Sequence, residues 1–168
     1  GRNVVPVTST NSGKSLSYSL PMLSEAIRHP GSRSLAIFPT KALAADQGVA
    51  FESMVQDAGL DIKVGAFDGD TPQAKRKWAR ENAAILLVNP DILHATILPS
   101  HSTWADFFSN LSYVAVDELH YWRGVLGSHV AHVIGRLKRI CKFYGSNPVF
   151  ISTSATIANA KEFAETML

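Results

Sequence analysis

The sequence predicts an α/β domain, a mainly parallel β-sheet with helices on both faces. Three observations predict it. Short apolar runs alternate with longer segments of helical period, the pattern of successive βαβ units. Turn-forming clusters fall between those segments. The residues with chemical capability follow the apolar runs directly, at the carboxyl ends of strands, where open α/β sheets bind ligands.

The apolar runs place strands at 3–7, 34–38, 62–67, 84–88, 113–116 and 149–152, with helices near 14–28, 41–58, 72–82, 90–97, 102–109, 127–144 and 159–168. Pro30-Gly31, Gly59, Asp68-Gly69-Asp70, Asn89-Pro90 and Gly145-Ser146-Asn147-Pro148 punctuate them. Pro6 falls inside the first strand, where it removes a ladder hydrogen bond, so an irregularity is expected there.

A chain of 168 residues fits one domain, 1–168, with a core that needs no covalent staple. With 46% hydrophobic and 18% charged residues it is far from the composition of disorder. A net charge of +2 permits a polyanionic partner without requiring one. The single cysteine, Cys141, excludes an internal disulfide and a multi-cysteine zinc site, and points to an intracellular, reducing compartment. No apolar run reaches the ~18 residues of a membrane helix, so no membrane partner is expected. The first residues read as a buried strand and the last as an amphipathic helix, the ends expected of a fragment.

Thr8-Ser9-Thr10-Asn11-Ser12-Gly13-Lys14-Ser15 lies between a strand and a helix. A phosphate-binding loop needs backbone N–H groups around phosphate oxygens, a lysine for the outer phosphates and a hydroxyl for Mg²⁺. Thr10, Asn11, Ser12 and Gly13 form the loop, Lys14 is the lysine and Ser15 the hydroxyl. Thr8 stands where the strict pattern has glycine, and Asn11 tolerates the left-handed backbone that such a loop requires. By itself the segment also fits an ordinary helix start capped by Ser12.

The run Tyr113-Val114-Ala115-Val116 delivers Asp117-Glu118-Leu119-His120 to the carboxyl edge. Adjacent carboxylates divide labour there: Asp117 holds hydrated Mg²⁺, Glu118 orients or deprotonates the attacking water, and His120 senses the γ-phosphate. The competing reading is a solvated helix start with charges favourable to the helix dipole. The last strand ends in Ser152-Thr153-Ser154-Ala155-Thr156, either a helix cap or a relay running through Ser154 and Thr156.

In order, Thr10-Asn11-Ser12-Gly13-Lys14-Ser15, Phe38-Pro39-Thr40-Lys41-Ala42-Leu43, Asp68-Gly69-Asp70-Thr71, Asn89-Pro90-Asp91, Asp117-Glu118-Leu119-His120 and Ser154-Ala155-Thr156 resemble the successive motifs of the first RecA-like domain of a superfamily 2 DExH helicase, over nearly the whole chain. Asp68-Gly69-Asp70-Thr71-Pro72 and Tyr121-Trp122-Arg123-Gly124-Val125-Leu126-Gly127-Ser128-His129-Val130 are more specifically similar to a RecQ-related branch of DNA repair helicases of fungi, plants and bacteria. The resemblance implies a RecA-like P-loop NTPase fold, ATP and Mg²⁺ as cofactors, and 3′ to 5′ movement along single-stranded or partly duplex DNA. It further implies that Pro39, Thr40, Lys41, Gly69, Asn89 and Pro90 line the path of one strand, and that Ser154, Ala155 and Thr156 couple that path to the nucleotide. The segment that recognises adenine and the second RecA-like domain with its arginine finger are expected in a longer parent chain. Location is expected to be nuclear in a eukaryote and cytoplasmic in a bacterium.

Trp122 and Arg123 are expected on the strand path as a stacking ring and guanidinium, against the alternative of a tryptophan packed in the core. Lys75-Arg76-Lys77 reads as a solvated helix face, and His129 with His132 lacks further metal ligands. Two rival functions stay open: an RNA helicase or remodeller of the same superfamily, and a non-catalytic binding module on the same fold.

Overall fold

The computed structural model describes residues 13–154. Helix α1 (Leu16–Arg28) leads into β1 (Arg33–Ile37), α2 (Lys41–Asp57), β2 (Val64–Phe67), α3 (Gln73–Asn82) and β3 (Ile85–Val88). A short α4 (Pro90–Ile92), a π-helical turn (Leu93–Ile97), a 3₁₀ turn (His101–Trp104) and α5 (Ala105–Ser109) connect to β4 (Leu111–Val116). A second 3₁₀ turn (Leu119–Tyr121), α6 (Gly124–Phe143) and β5 (Val149–Ser152) complete the described chain. The expected elements at 3–7 and 159–168, and the irregularity at Pro6, lie outside it.

The five strands form one parallel sheet in the order β2-β3-β1-β4-β5. The strands inside the sheet, β3, β1 and β4, are covered on both faces, which is why they read as apolar runs without alternation, while Ala66 of the edge strand β2 is exposed. One face packs Tyr18 and Met22 of α1 with Phe51 and Val55 of α2. On the other, Ala79 of α3, Trp104, Phe107 and Phe108 meet Val130, Val133, Ile134, Leu137 and Cys141 of α6. Those α6 positions follow the 3.6-residue period that places one helix stripe against a sheet. Burial pushes the Cys141 thiol up to about 11, so it is a packing residue and a poor nucleophile.

Two expected helices take other forms. The 90–97 segment starts as an Asn89-capped turn and then widens into π-helix, while 102–109 begins as 3₁₀. Helical period alone does not separate these variants when the run is this short. No described helix is long and apolar enough to cross a membrane.

The register decides where the chemistry lies. Phe67 pairs with Val88, Val88 with Ile37, Ile37 with Val116, and Val116 with Ser152. The next residues, Asp68, Asn89, Phe38, Asp117 and Thr153, therefore form a row along the carboxyl edge. Beyond β1 the chain goes to α2 on one face, and beyond β4 to α6 on the other, which opens a crevice between these neighbouring strand ends. Strand spacing puts Asp68 roughly 14 Å from Asp117 along that row.

Candidate nucleotide and nucleic-acid site

Asp117 stands at the crevice, 8% exposed, its backbone N–H donating to Ile37 O at 3.0 Å. Its Oδ1 accepts from the Glu118 N–H at 3.0 Å and from the Thr153 hydroxyl. Its Oδ2 lies 3.4 Å from the Tyr18 hydroxyl, which is also 3.1 Å from Gln47 Oε1. A phenol has one proton and a carboxylate only accepts, so turning the Gln47 amide over gives a consistent chain: Gln47 donates to Tyr18, and Tyr18 to Asp117. Burial, then the Asp117 charge, push the Tyr18 hydroxyl far above the ordinary tyrosine range and keep it a donor.

Glu118 adopts φ 54° and ψ 52°, the left-handed region, and is the one described non-glycine residue with positive φ. That conformation costs roughly 1–2 kcal/mol in a residue with a Cβ. The surroundings impose it. Thr153 O accepts from Leu119 N at 2.8 Å, Glu118 O accepts from Tyr121 N at 2.8 Å, and the Trp122 indole N–H donates to Asp117 O at 2.9 Å. Strain held in place this way is characteristic of functional sites.

Nδ1 of His120 approaches Glu118 Oε2 at 3.0 Å, close enough for an ion pair though not aligned as a hydrogen bond. Oε2 is nonetheless buried, as is Ser154 Oγ, and neither has a hydrogen-bond partner among the described residues. Buried polar atoms are ordinarily satisfied, and a catalytic role or a bound ion is among the causes of an exception. Hard carboxylate oxygens beside a fixed hydroxyl network fit a hydrated divalent cation with phosphate.

Of the phosphate loop, Gly13, Lys14 and Ser15 are described. Gly13 has φ 72°, a conformation glycine adopts without strain, and its carbonyl accepts from Leu16 N at 3.0 Å. The loop thereby turns into α1, with Lys14 in the turn just before it and Ser15 at its N-cap position. The same helix carries Tyr18 to Asp117. Thr10, Asn11, Ser12, Ala155 and Thr156 lie outside the described residues.

The expected strand path divides in two. Thr40 caps α2, its hydroxyl accepting from Leu43 N at 3.1 Å, and it is exposed together with Lys41 and Gly69, while Pro39 is half-buried. Lys41 Nζ contacts Asp70 Oδ2 at 2.7 Å, and Asp70 holds that ammonium above the usual lysine range. Asp68 Oδ1 accepts from the Thr71 hydroxyl at 2.7 Å and from Asp70 N at 2.9 Å, which closes the 68–71 turn. The Thr71 bond holds the Asp68 carboxyl below its ordinary range.

Asn89 and Pro90 are buried. Asn89 Oδ1 accepts from Ile92 N at 2.9 Å, so this buried side chain caps α4 and does not stand exposed as Thr40 and Lys41 do. Trp122 also departs from the strand-path expectation: it is 1% exposed, and its indole is committed to Asp117 O. The packed-tryptophan alternative holds. The exposed aromatic is its neighbour Tyr121, beside exposed Arg123.

Sequence reading missed Thr153, Tyr18 and Gln47. Thr153 lies within the hydroxyl-rich run but one position before its relay residues. Tyr18 falls on the apolar stripe of its helix, and its only signal is that a buried phenol needs a partner. Gln47 carries no signal.

The DEAD/DEAH box helicase family model matches residues 1–163. The chain belongs to the DEAD/DEAH box helicase family. It is 53% identical over 165 residues to the uncharacterized ATP-dependent helicase YprA of Bacillus subtilis, covering 98% of this chain and 22% of that protein. It is 43% identical over 171 residues to the ATP-dependent helicase HRQ1 of Saccharomyces cerevisiae, covering 99% of this chain and 16% of that protein. A solved structure of the DUF1998 helicase MrfA bound to DNA and AMPPNP superposes with a TM-score of 0.97 at 53% identity, covering 99% of this chain and 24% of that one. The chain thus spans less than a quarter of the length of these relatives. Fold and family membership agree with the RecA-like expectation.

Proposed function

We propose that the chain is the first, ATP-binding motor domain of a longer DNA helicase that couples ATP hydrolysis to 3′ to 5′ movement along one strand. The observation that carries this reading is the buried, triply contacted Asp117 at the crevice, in one row with the exposed Lys41 and 68–71 segments. Similarity to the DNA- and AMPPNP-bound MrfA structure supports DNA and nucleotide as the ligands.

In this reading Thr10, Asn11, Ser12 and Gly13 wrap the phosphates and Lys14 neutralises the outer ones. Ser15 and Asp117 would hold Mg²⁺, which would supply charge neutralisation for the phosphates. Glu118 orients the attacking water and takes its proton, with His120 beside it. Thr40, Lys41 and Gly69 hold the strand by its phosphates, Arg123 adds a guanidinium, and Ser154, Ala155 and Thr156 relay the nucleotide state. A second RecA-like domain in the parent chain supplies the arginine finger, worth about 10³ to 10⁵ in rate in related phosphoryl transfers.

The test is steady-state ATP hydrolysis by the intact parent protein without a strand, with single-stranded DNA and with matched RNA. DNA stimulation is expected. Glu118→Gln should retain nucleotide binding and lose about 10² to 10⁴ in turnover, the range of general-base contributions, while Lys14→Ala should abolish Mg-nucleotide binding. Stimulation by RNA alone would move the protein to an RNA-remodelling role. No hydrolysis under any condition would leave a binding module.

A further inference from the structure

A groove of about 710 Å³ runs along α3, away from the nucleotide crevice. Its volume is in the range of ligand sites and exceeds what one inorganic anion needs. One wall presents Arg76, Lys77 and Arg80, and the facing wall carries Thr96, Ser100 and Thr103, of which the Thr103 hydroxyl donates to Ser100 O at 2.9 Å. No carboxylate lines it; the adjacent Glu81 is paired with Arg80 at 3.3 Å.

Arg76 joins this groove to the 68–71 turn. Its Nε donates to Thr71 O at 2.6 Å, its Nη2 donates to Gly69 O at 2.7 Å, and its guanidinium lies 5.2 Å from the centre of the Phe67 ring. The wall of the groove and the loop that bears Gly69 are therefore one fixed unit, and Thr71 belongs to both. The groove therefore adjoins the loop that bears Gly69.

The lining also selects which part of a strand fits. Cations and hydroxyls are the groups that contact phosphate and sugar. The aromatic floor, Phe67 and Trp104, is 2% and 4% exposed, the rings packed on each other at 5.7 Å, and so offers no free face for a base. We propose that this groove binds the sugar–phosphate backbone of the strand beyond Gly69, without base readout, with Lys77 and Arg80 as its phosphate contacts. This rests on the nucleic-acid reading above, and it assigns a role to part of a basic run that otherwise reads as a solvated helix face.

The experiment measures binding of oligothymidines of graded length to the intact parent protein by fluorescence anisotropy across a salt series. The variants are Lys77→Ala/Arg80→Ala and, as a control, Lys75→Ala, an exposed α3 lysine outside the groove. Each single-strand phosphate contact contributes about 0.7 to the slope of log affinity against log salt. The double variant should lose roughly 1.4 of slope and on the order of tenfold in affinity on long strands. It should match the unaltered protein on strands too short to reach past Gly69, and Lys75→Ala should change neither quantity. An unchanged slope and length dependence in the double variant would overturn the proposal, and so would an equal loss with Lys75→Ala, which would mean a diffuse basic face. Failure of the unaltered protein to bind any oligonucleotide would overturn the nucleic-acid reading itself, a separate and recognisable result.

Discussion

The acidic loop after β4 and the 68–71 turn after β2 occupy the same edge of one sheet, yet they are built in opposite ways. Asp117 is buried, each of its oxygens faces a hydroxyl from another part of the fold, and its neighbour Glu118 is held in a strained backbone conformation. Asp70 is exposed, and its ion pair with Lys41 leaves both partners in water. A group that must meet a reacting phosphate at fixed geometry is positioned before the ligand arrives, because misplacement is costly in rate. A group that holds a moving strand has to let go, and exposed, screened charges allow that. Under the proposed function, the difference teaches that rigidity is concentrated at the hydrolytic end of the row and exchangeable charge at the strand end.

That contrast predicts a graded set of effects. The largest follows Thr153→Val, which keeps shape and removes the hydroxyl shared by Asp117 Oδ1 and the Glu118 N–H. Weakening a buried, charge-assisted contact costs roughly 1–3 kcal/mol. The variant should show a lower denaturation midpoint in urea and a higher Mg²⁺ requirement for nucleotide-analogue binding. Unchanged values for both would break the claim that this end of the row is preorganised. Tyr18→Phe should act in the same direction by about 1 kcal/mol, less because its contact with Asp117 is longer at 3.4 Å. Its diagnostic is the Mg²⁺ half-saturation of analogue binding. A purely structural tyrosine would lower stability and leave that half-saturation where it was.

The architecture was legible because a parallel sheet covered on both faces writes itself as apolar runs, and all five described strands fall within two residues of their expected bounds. Asp117 and Glu118 were legible as residue types placed directly after a strand. The rest was not legible because sequence shows which residue follows a strand, but not which way its side chain turns or what packs beside it. Trp122 and Tyr121 are adjacent, and only packing decides that the indole goes inward to Asp117 O while the phenol stays out. Asn89 has the chemistry of a strand contact and equally that of a helix cap, and the cap uses it. Tyr18 and Gln47 meet Asp117 through tertiary placement of two helices on the same face, which no local pattern encodes.

The smallest effect, and the one that most sharpens the contrast, is expected at Asp70. Asp70→Asn removes the charge that holds Lys41, and stability should barely change, because solvent screens an exposed ion pair. The released ammonium becomes available to a phosphate, and DNA affinity of the parent protein should rise a few-fold at low salt. The gain should fade as salt is raised, because screening removes the same Coulomb interaction from both variants. Anisotropy titrations at two ionic strengths decide it. Weaker binding at low salt would mean that Asp70 orients Lys41 toward the strand, and the strand end of the row would then be as preorganised as the hydrolytic end.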